Sequence, residues 1–121
     1  MSIVRLSTEG LQKILSGHVK EPSTCIVKFY LNDCHLCHNL KEYFEDIAGT
    51  TEYSDLHFFA FNVEDYPAIE RQLNFNGVPT ISLIKTGASK PKIRILPEPD
   101  KPNEETWYQV KDIKKFIEKE K

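Results

Sequence analysis

At 121 residues the chain can bury one core but is too short for two ordinary domains, so a single domain over 1–121 is expected. With 40% hydrophobic and 28% charged residues, it has the balance of a globular protein rather than a disordered or membrane-embedded one. A formal net charge of -2 argues against a nucleic-acid partner gripped through its phosphates, which needs a basic face.

No apolar run reaches the roughly 18 residues that would suggest a membrane span, so no membrane partner is expected. The start, Met1 to Leu6, lacks a basic segment followed by an apolar stretch, so no signal peptide is visible and a cytoplasmic location is expected. In that compartment structural disulfides are uncommon, and two cysteines spaced as C-x-x-C usually serve redox chemistry or metal binding.

In chain order, Ile3 to Leu6 is a short apolar run suited to an outer strand. Ser7 reads as a helix N-cap, with Leu11, Ile14 and Leu15 at helical spacing and Gly17 at the end. Cys25 to Leu31 is β-branched, aromatic and almost continuously hydrophobic, the pattern of a strand covered on both faces. Asn32 and Asp33 stop it. Leu36, Leu40, Tyr43, Phe44 and Ile47 then recur every three or four residues up to Gly49, which predicts an amphipathic helix with a glycine C-cap.

After a polar loop over Thr50 to Asp55, Leu56 to Val63 reads as another strand. Asp65 is expected to cap a helix with Pro67 in its first turn and Ile69 and Leu73 on its buried face. Asn76-Gly77 turns the chain into a strand over Thr80 to Lys85, and Lys92 to Leu96 is its hairpin partner. Three prolines in 97–102 exclude regular structure there. Trp107, Val110, Ile113, Phe116 and Ile117 predict a last helix, with its start open between 103 and 111 and its lysines on a solvated face. The order β-α-β-α-β-α-β-β-α implies an α/β fold, a mixed sheet with helices on both faces. Right-handed crossovers would make successive strands parallel up to the final hairpin.

Between the strand ending at Leu31 and the following helix lies Cys34-His35-Leu36-Cys37-His38. Three chemistries fit that string: a dithiol/disulfide pair, a zinc site, and a C-x-x-C-H haem attachment. Haem would need export to an attachment machinery and a second axial ligand. Zinc would need four ligands in a closed site, and His18 and His57 stand alone. In the redox reading, Cys34 faces unpaired N–H groups and the positive end of the helix dipole, which favour its thiolate. Cys37, a turn further in, would resolve a mixed disulfide, and a charge on His35 would tune the pair. Cys25, inside a strand, reads as a small buried hydrophobe.

The combination of that strand, the C-x-x-C opening a helix, and Gly77-Val78-Pro79-Thr80 some forty residues on resembles the thioredoxin superfamily. Lys85-Thr86-Gly87 is similar to that family's Lys-Asn-Gly hairpin turn. The resemblance implies a thioredoxin-like fold and a thiol–disulfide oxidoreductase, with Cys34 as nucleophile and Cys37 as resolving thiol. It implies a cis Pro79 facing the dithiol and the Val78 backbone offered to an extended substrate strand. Protein or peptide disulfides would be the partners, and a thioredoxin reductase-type or glutathione-type donor would recharge the pair. No bound cofactor and no metal are implied beyond the dithiol.

The sequence departs from the pattern in three places. His35-Leu36 replaces Gly-Pro between the cysteines, which bears on the potential. Lys28 stands where the family has a buried Asp serving the resolving thiol, and Asp33 where an aromatic residue precedes the first Cys. Lys28, Asp33 and His35 are therefore the expected tuning residues. The rival from another class is a thioredoxin-fold binding module whose dithiol is vestigial or regulatory, with 97–102 as its contact loop.

Overall fold

A computed structural model describes residues 3–121; the first two residues of the expected 1–121 domain lie outside the described residues. The elements are β1 (Ile3–Arg5), α1 (Thr8–Leu15), β2 (Thr24–Tyr30), α2 (His35–Ala48), β3 (His57–Asn62), α3 (Ile69–Leu73), β4 (Thr80–Lys85), β5 (Lys92–Ile95) and α4 (Val110–Glu120). They follow the order expected from hydrophobic periodicity. Ser7 caps α1 as its position suggested, its Oγ accepting the Gly10 N–H at 3.0 Å.

The strands form one sheet in the order β1-β3-β2-β4-β5. β1 and β2 both run parallel to β3, while β4 is antiparallel to β2, and β5 to β4. The direction of β4 corrects the expectation of parallel succession. A five-residue α3 is only about 7–8 Å long, too short to return the chain along a six-residue strand of about 20 Å. The chain therefore enters β4 at the end of the sheet where β3 leaves it.

Alternation along β2 divides the interior into two layers. Ile26 lies on the face covered by α2 and α4, with Phe58, Ile81, Leu40, Phe44, Ile113 and Ile117. Cys25, Val27 and Phe29 lie on the opposite face, with Phe61, Ile84, Leu11, Ile14 and Ile69. Lys28, two residues after Ile26, falls by the same parity on the α2 face and is 5% exposed.

Two local expectations change, and one boundary left open is placed. Asp65 does not cap a helix: a 3-10 turn over Val63–Asp65 intervenes, capped by Asn62, and the Asp65 carboxylate accepts from Arg5 Nη2 at 3.0 Å. The polar loop over 50–55 contains a 3-10 turn (Thr51–Tyr53) whose Tyr53 ring is buried against Phe58. Gln109 precedes the last helix, and Asn103 and Trp107 pair as an isolated antiparallel bridge upstream of it.

Candidate active site

β2 delivers the chain to the site and α2 carries it away. The Cys34 N–H donates to the Leu31 carbonyl at 3.2 Å, closing the turn over Asn32 and Asp33. Cys34 is then extended (φ -85°, ψ 106°) and is itself the N-cap of α2. Its Sγ accepts the Cys37 backbone N–H at 3.1 Å, and its carbonyl accepts the His38 N–H. A sulfur at this position meets the positive end of the dipole and an aligned donor, both of which favour negative charge.

Cys34 and Cys37 are joined as a disulfide with their Cα atoms 5.2 Å apart. Cys34 is half-buried, whereas Cys37 is only 3% exposed, so an incoming partner meets Cys34 first. Cys25 is free and buried on the other face of the sheet, where burial pushes its thiol pKa up.

The Val78–Pro79 peptide is cis and sits opposite the disulfide, with the Val78 carbonyl oxygen 3.9 Å from Cys34 Sγ. This segment is held from both sides. The Glu70 carboxylate accepts the Gly77 N–H at 2.6 Å, and Thr80 Oγ1 donates to the Gly77 carbonyl at 2.8 Å. Gly77 has φ +91°, a conformation that a side chain disfavours.

A groove of about 430 Å³ runs from Leu36 past Phe75, Val78 and Pro79 to Trp107 and Tyr108. Trp107 and Tyr108 form a wall that the sequence reading did not assign to the site. Trp107 (φ +66°) is placed by the bridge to Asn103, with N–H···O distances of 2.8 and 2.9 Å. Asn39 Nδ2 on α2 donates to the Glu105 carbonyl at 2.8 Å and so fastens this loop to the active-site helix. The Tyr108 hydroxyl donates to the Leu96 carbonyl, and burial raises its pKa to about 12, so it remains a neutral donor. The only local signal was an aromatic pair beside a proline-rich segment, which does not specify a long-range contact.

The remaining expected residues differ in exposure. Asp33 is exposed in the turn before Cys34. His35 is exposed on α2, with its Nε2 3.3 Å from Asn39 Nδ2, and His38 uses Nε2 to contact the Asn32 carbonyl. Lys28 lies beneath α2, its Nζ 5.4 Å from the Phe44 ring centre and 5.9 Å from that of Tyr30. Burial is the main cause lowering its pKa to about 8; Lys41 lowers it further and Glu45 opposes. Lys28 and Cys37 line a common cleft of about 410 Å³.

The thioredoxin family model matches residues 4–102. In structure the chain is similar to Plasmodium falciparum thioredoxin, at 19% identity and TM-score 0.67 with 100% of both chains covered. It is similar to reduced Schistosoma mansoni thioredoxin pre-protein at 19% identity and TM-score 0.67, with 98% of each chain covered. It is also similar to the J-Trx1 fragment of ERdj5, at 18% identity and TM-score 0.65 with 97% of this chain covered, and it spans about half (49%) of that fragment's length. No curated protein matches the chain by sequence.

Proposed function

Since the chain belongs to the thioredoxin family, we propose that its close Cys34–Cys37 pair makes it a thiol–disulfide oxidoreductase acting on protein or peptide disulfides. At the level of the family, that pair in a thioredoxin fold supports dithiol/disulfide exchange. The finer reading rests on one observation. Cys34 Sγ is the N-cap acceptor of α2 and also the sulfur beside the Val78 carbonyl. The group best placed to be a thiolate thus adjoins the backbone edge that an extended partner would pair with.

In the reduced enzyme, the Cys34 thiolate attacks one sulfur of a partner disulfide, and the other partner sulfur leaves as a thiolate. Cys37 then attacks Cys34 Sγ, forms the intramolecular disulfide and releases the second partner sulfur. Two electrons pass from the dithiol to the partner. Val78 and Pro79 hold the partner strand, while Asp33 and His35 adjust the charge around Cys34. A thioredoxin reductase-type or glutathione-type donor restores the dithiol, and a cytoplasmic setting suits that supply. The dithiol is the redox group, and the reaction requires no bound cofactor.

Cys37→Ser is expected to accumulate mixed disulfides with partner proteins through Cys34, whereas Cys34→Ser accumulates none. If neither substitution alters reduction of a model protein disulfide, the enzyme reading fails and a binding module with an idle dithiol takes its place.

A further inference from the structure

Lys28 is the only buried charged residue among the described residues, and the two half-reactions above leave it unused. It sits mid-strand in β2, in register with Ala60 of β3 and Ile81 of β4. Ala60 has no bulk beyond Cβ and leaves a cleft open beside the lysine stem. Among the described residues, Nζ has ring contacts with Phe44 and Tyr30 but no ion-pair partner. No sealed side-chain nitrogen or oxygen lacks a hydrogen bond, so the amine ends against the solvent-accessible cleft. Cys37 lines the same cleft, which shares no lining residue with the groove beside Val78 and Pro79.

The charged and titratable groups around this cleft come from three elements: His38, Lys41 and Glu45 on α2, Tyr30 on β2, and Arg5 on β1. Arg5 is occupied by Asp65. Lys41 and Glu45 act on Lys28 in opposite senses, so desolvation governs its charge. A lysine without an ion-pair partner in such a place is costly to keep protonated, so a minor neutral fraction is present near pH 7 and grows towards pH 8.

We propose that Lys28 is the proton-transfer partner of Cys37, an inference that rests on the dithiol reading above. As Cys37 attacks the mixed disulfide, its S–H proton passes to the Lys28 amine, directly or through one water in the cleft. The Cys37–Cys34 bond forms and the Cys34–partner bond breaks. The partner sulfur departs with the electron pair and takes a proton from solvent. The Lys28 ammonium then releases its proton to water; in the reverse direction Lys28 takes a proton up from water and, as a donor dithiol reopens the disulfide, passes it to the Cys37 thiolate. A neutral amine can do this; a permanently charged one cannot.

The test is stopped-flow reaction of the reduced protein with 5,5′-dithiobis(2-nitrobenzoate). The first thionitrobenzoate released reports attack by Cys34, and the second reports resolution by Cys37. In Lys28→Met and Lys28→Gln the first phase is expected to stay within about twofold of the unsubstituted protein. The second is expected to slow by at least about tenfold near pH 7, the gap closing at high pH as Cys37 ionises unaided. A second phase that is unchanged, or slowed by one factor at every pH, overturns the proposal and leaves Lys28 a packing residue. Loss of the first phase in the unsubstituted protein would instead overturn the dithiol reading itself. In that unsubstituted protein, the NMR titration midpoint of Lys28 is expected to differ between the reduced and disulfide forms. Identical midpoints overturn the proposal even if both variants fail to fold.

Discussion

Asn39 Nδ2 and the Glu105 carbonyl oxygen, 2.8 Å apart, join α2 to the outer loop that carries Trp107. Asn39→Ala removes this donor and is expected to lower stability by about 1 kcal/mol. Trp107 is the sole tryptophan, so its fluorescence reads the loop alone. A red shift and faster collisional quenching are expected, together with a higher KM for protein disulfides. The rate with a small aromatic disulfide should stay near that of the unsubstituted protein, and unchanged fluorescence would deny the fastening role.

Lys28 opposes stability wherever it is charged in the fold. The unfolded chain keeps its proton up to an ordinary pKa of 10.5, whereas the folded chain gives it up near 8. Between those values the unfolded state binds more protons, so stability rises with pH; below 8 the full penalty applies. Lys28→Met is therefore expected to raise stability at neutral pH by up to about 3 kcal/mol. Denaturant titrations should show this advantage shrinking as pH climbs from 8 to 10.5, and a constant advantage would contradict it.

Cys25 is 5% exposed, and burial raises its thiol pKa. The reduced native protein should titrate with two thiols on the time scale of minutes, and the third should appear only on denaturation. Rapid reaction of all three would show that the face of β2 against α1 and α3 opens readily.

Gly87 and Gly77 separate two kinds of glycine requirement. Both have positive φ, +105° and +91°, but a Cβ on Gly87 would lie 2.8 Å from Pro22 Cα, whereas one on Gly77 would meet nothing within 4 Å. Gly77→Ala should lose about 1–2 kcal/mol from backbone conformation alone. Gly87→Ala should lose clearly more, because the Pro22 backbone must also move. Equal losses in thermal unfolding would show that the hairpin turn yields freely.

The parts of the fold written in local pattern were legible from the sequence. Ser7 before Leu11 and Ile14 marks a capped helix, and the spacing from Leu36 to Ile47 marks another, because the side chains that signal these elements also stabilise them. The direction of β4 was not legible: it depends on how little distance α3 spans, and short helices have uncertain ends. Tyr53 hides in a polar stretch because one aromatic residue has no period. At the candidate site, Cys34, Cys37, Val78 and Pro79 are brought together as the two motifs implied. The Trp107 wall was not visible, since it hangs on a bridge to Asn103 and an amide on a distant helix. Lys28 stood out as a departure, but its burial became evident only when strand parity placed it beneath α2.

The sulfur that caps α2 is also the one exposed to exchange, so the start of the helix records the oxidation state of the chain. A thiolate accepts the Cys37 N–H more strongly than a disulfide sulfur does, because the bond becomes charge-assisted. Reduction therefore tightens the first turn, and oxidation relaxes it. Alkylating Cys34 would do more than block a nucleophile; it would blunt a cap whose loss at other helices is worth about 1 kcal/mol. Deuterium uptake at the Cys37 amide should accordingly be slower in the reduced protein, so one backbone amide can serve as a redox gauge with no probe attached to the chain.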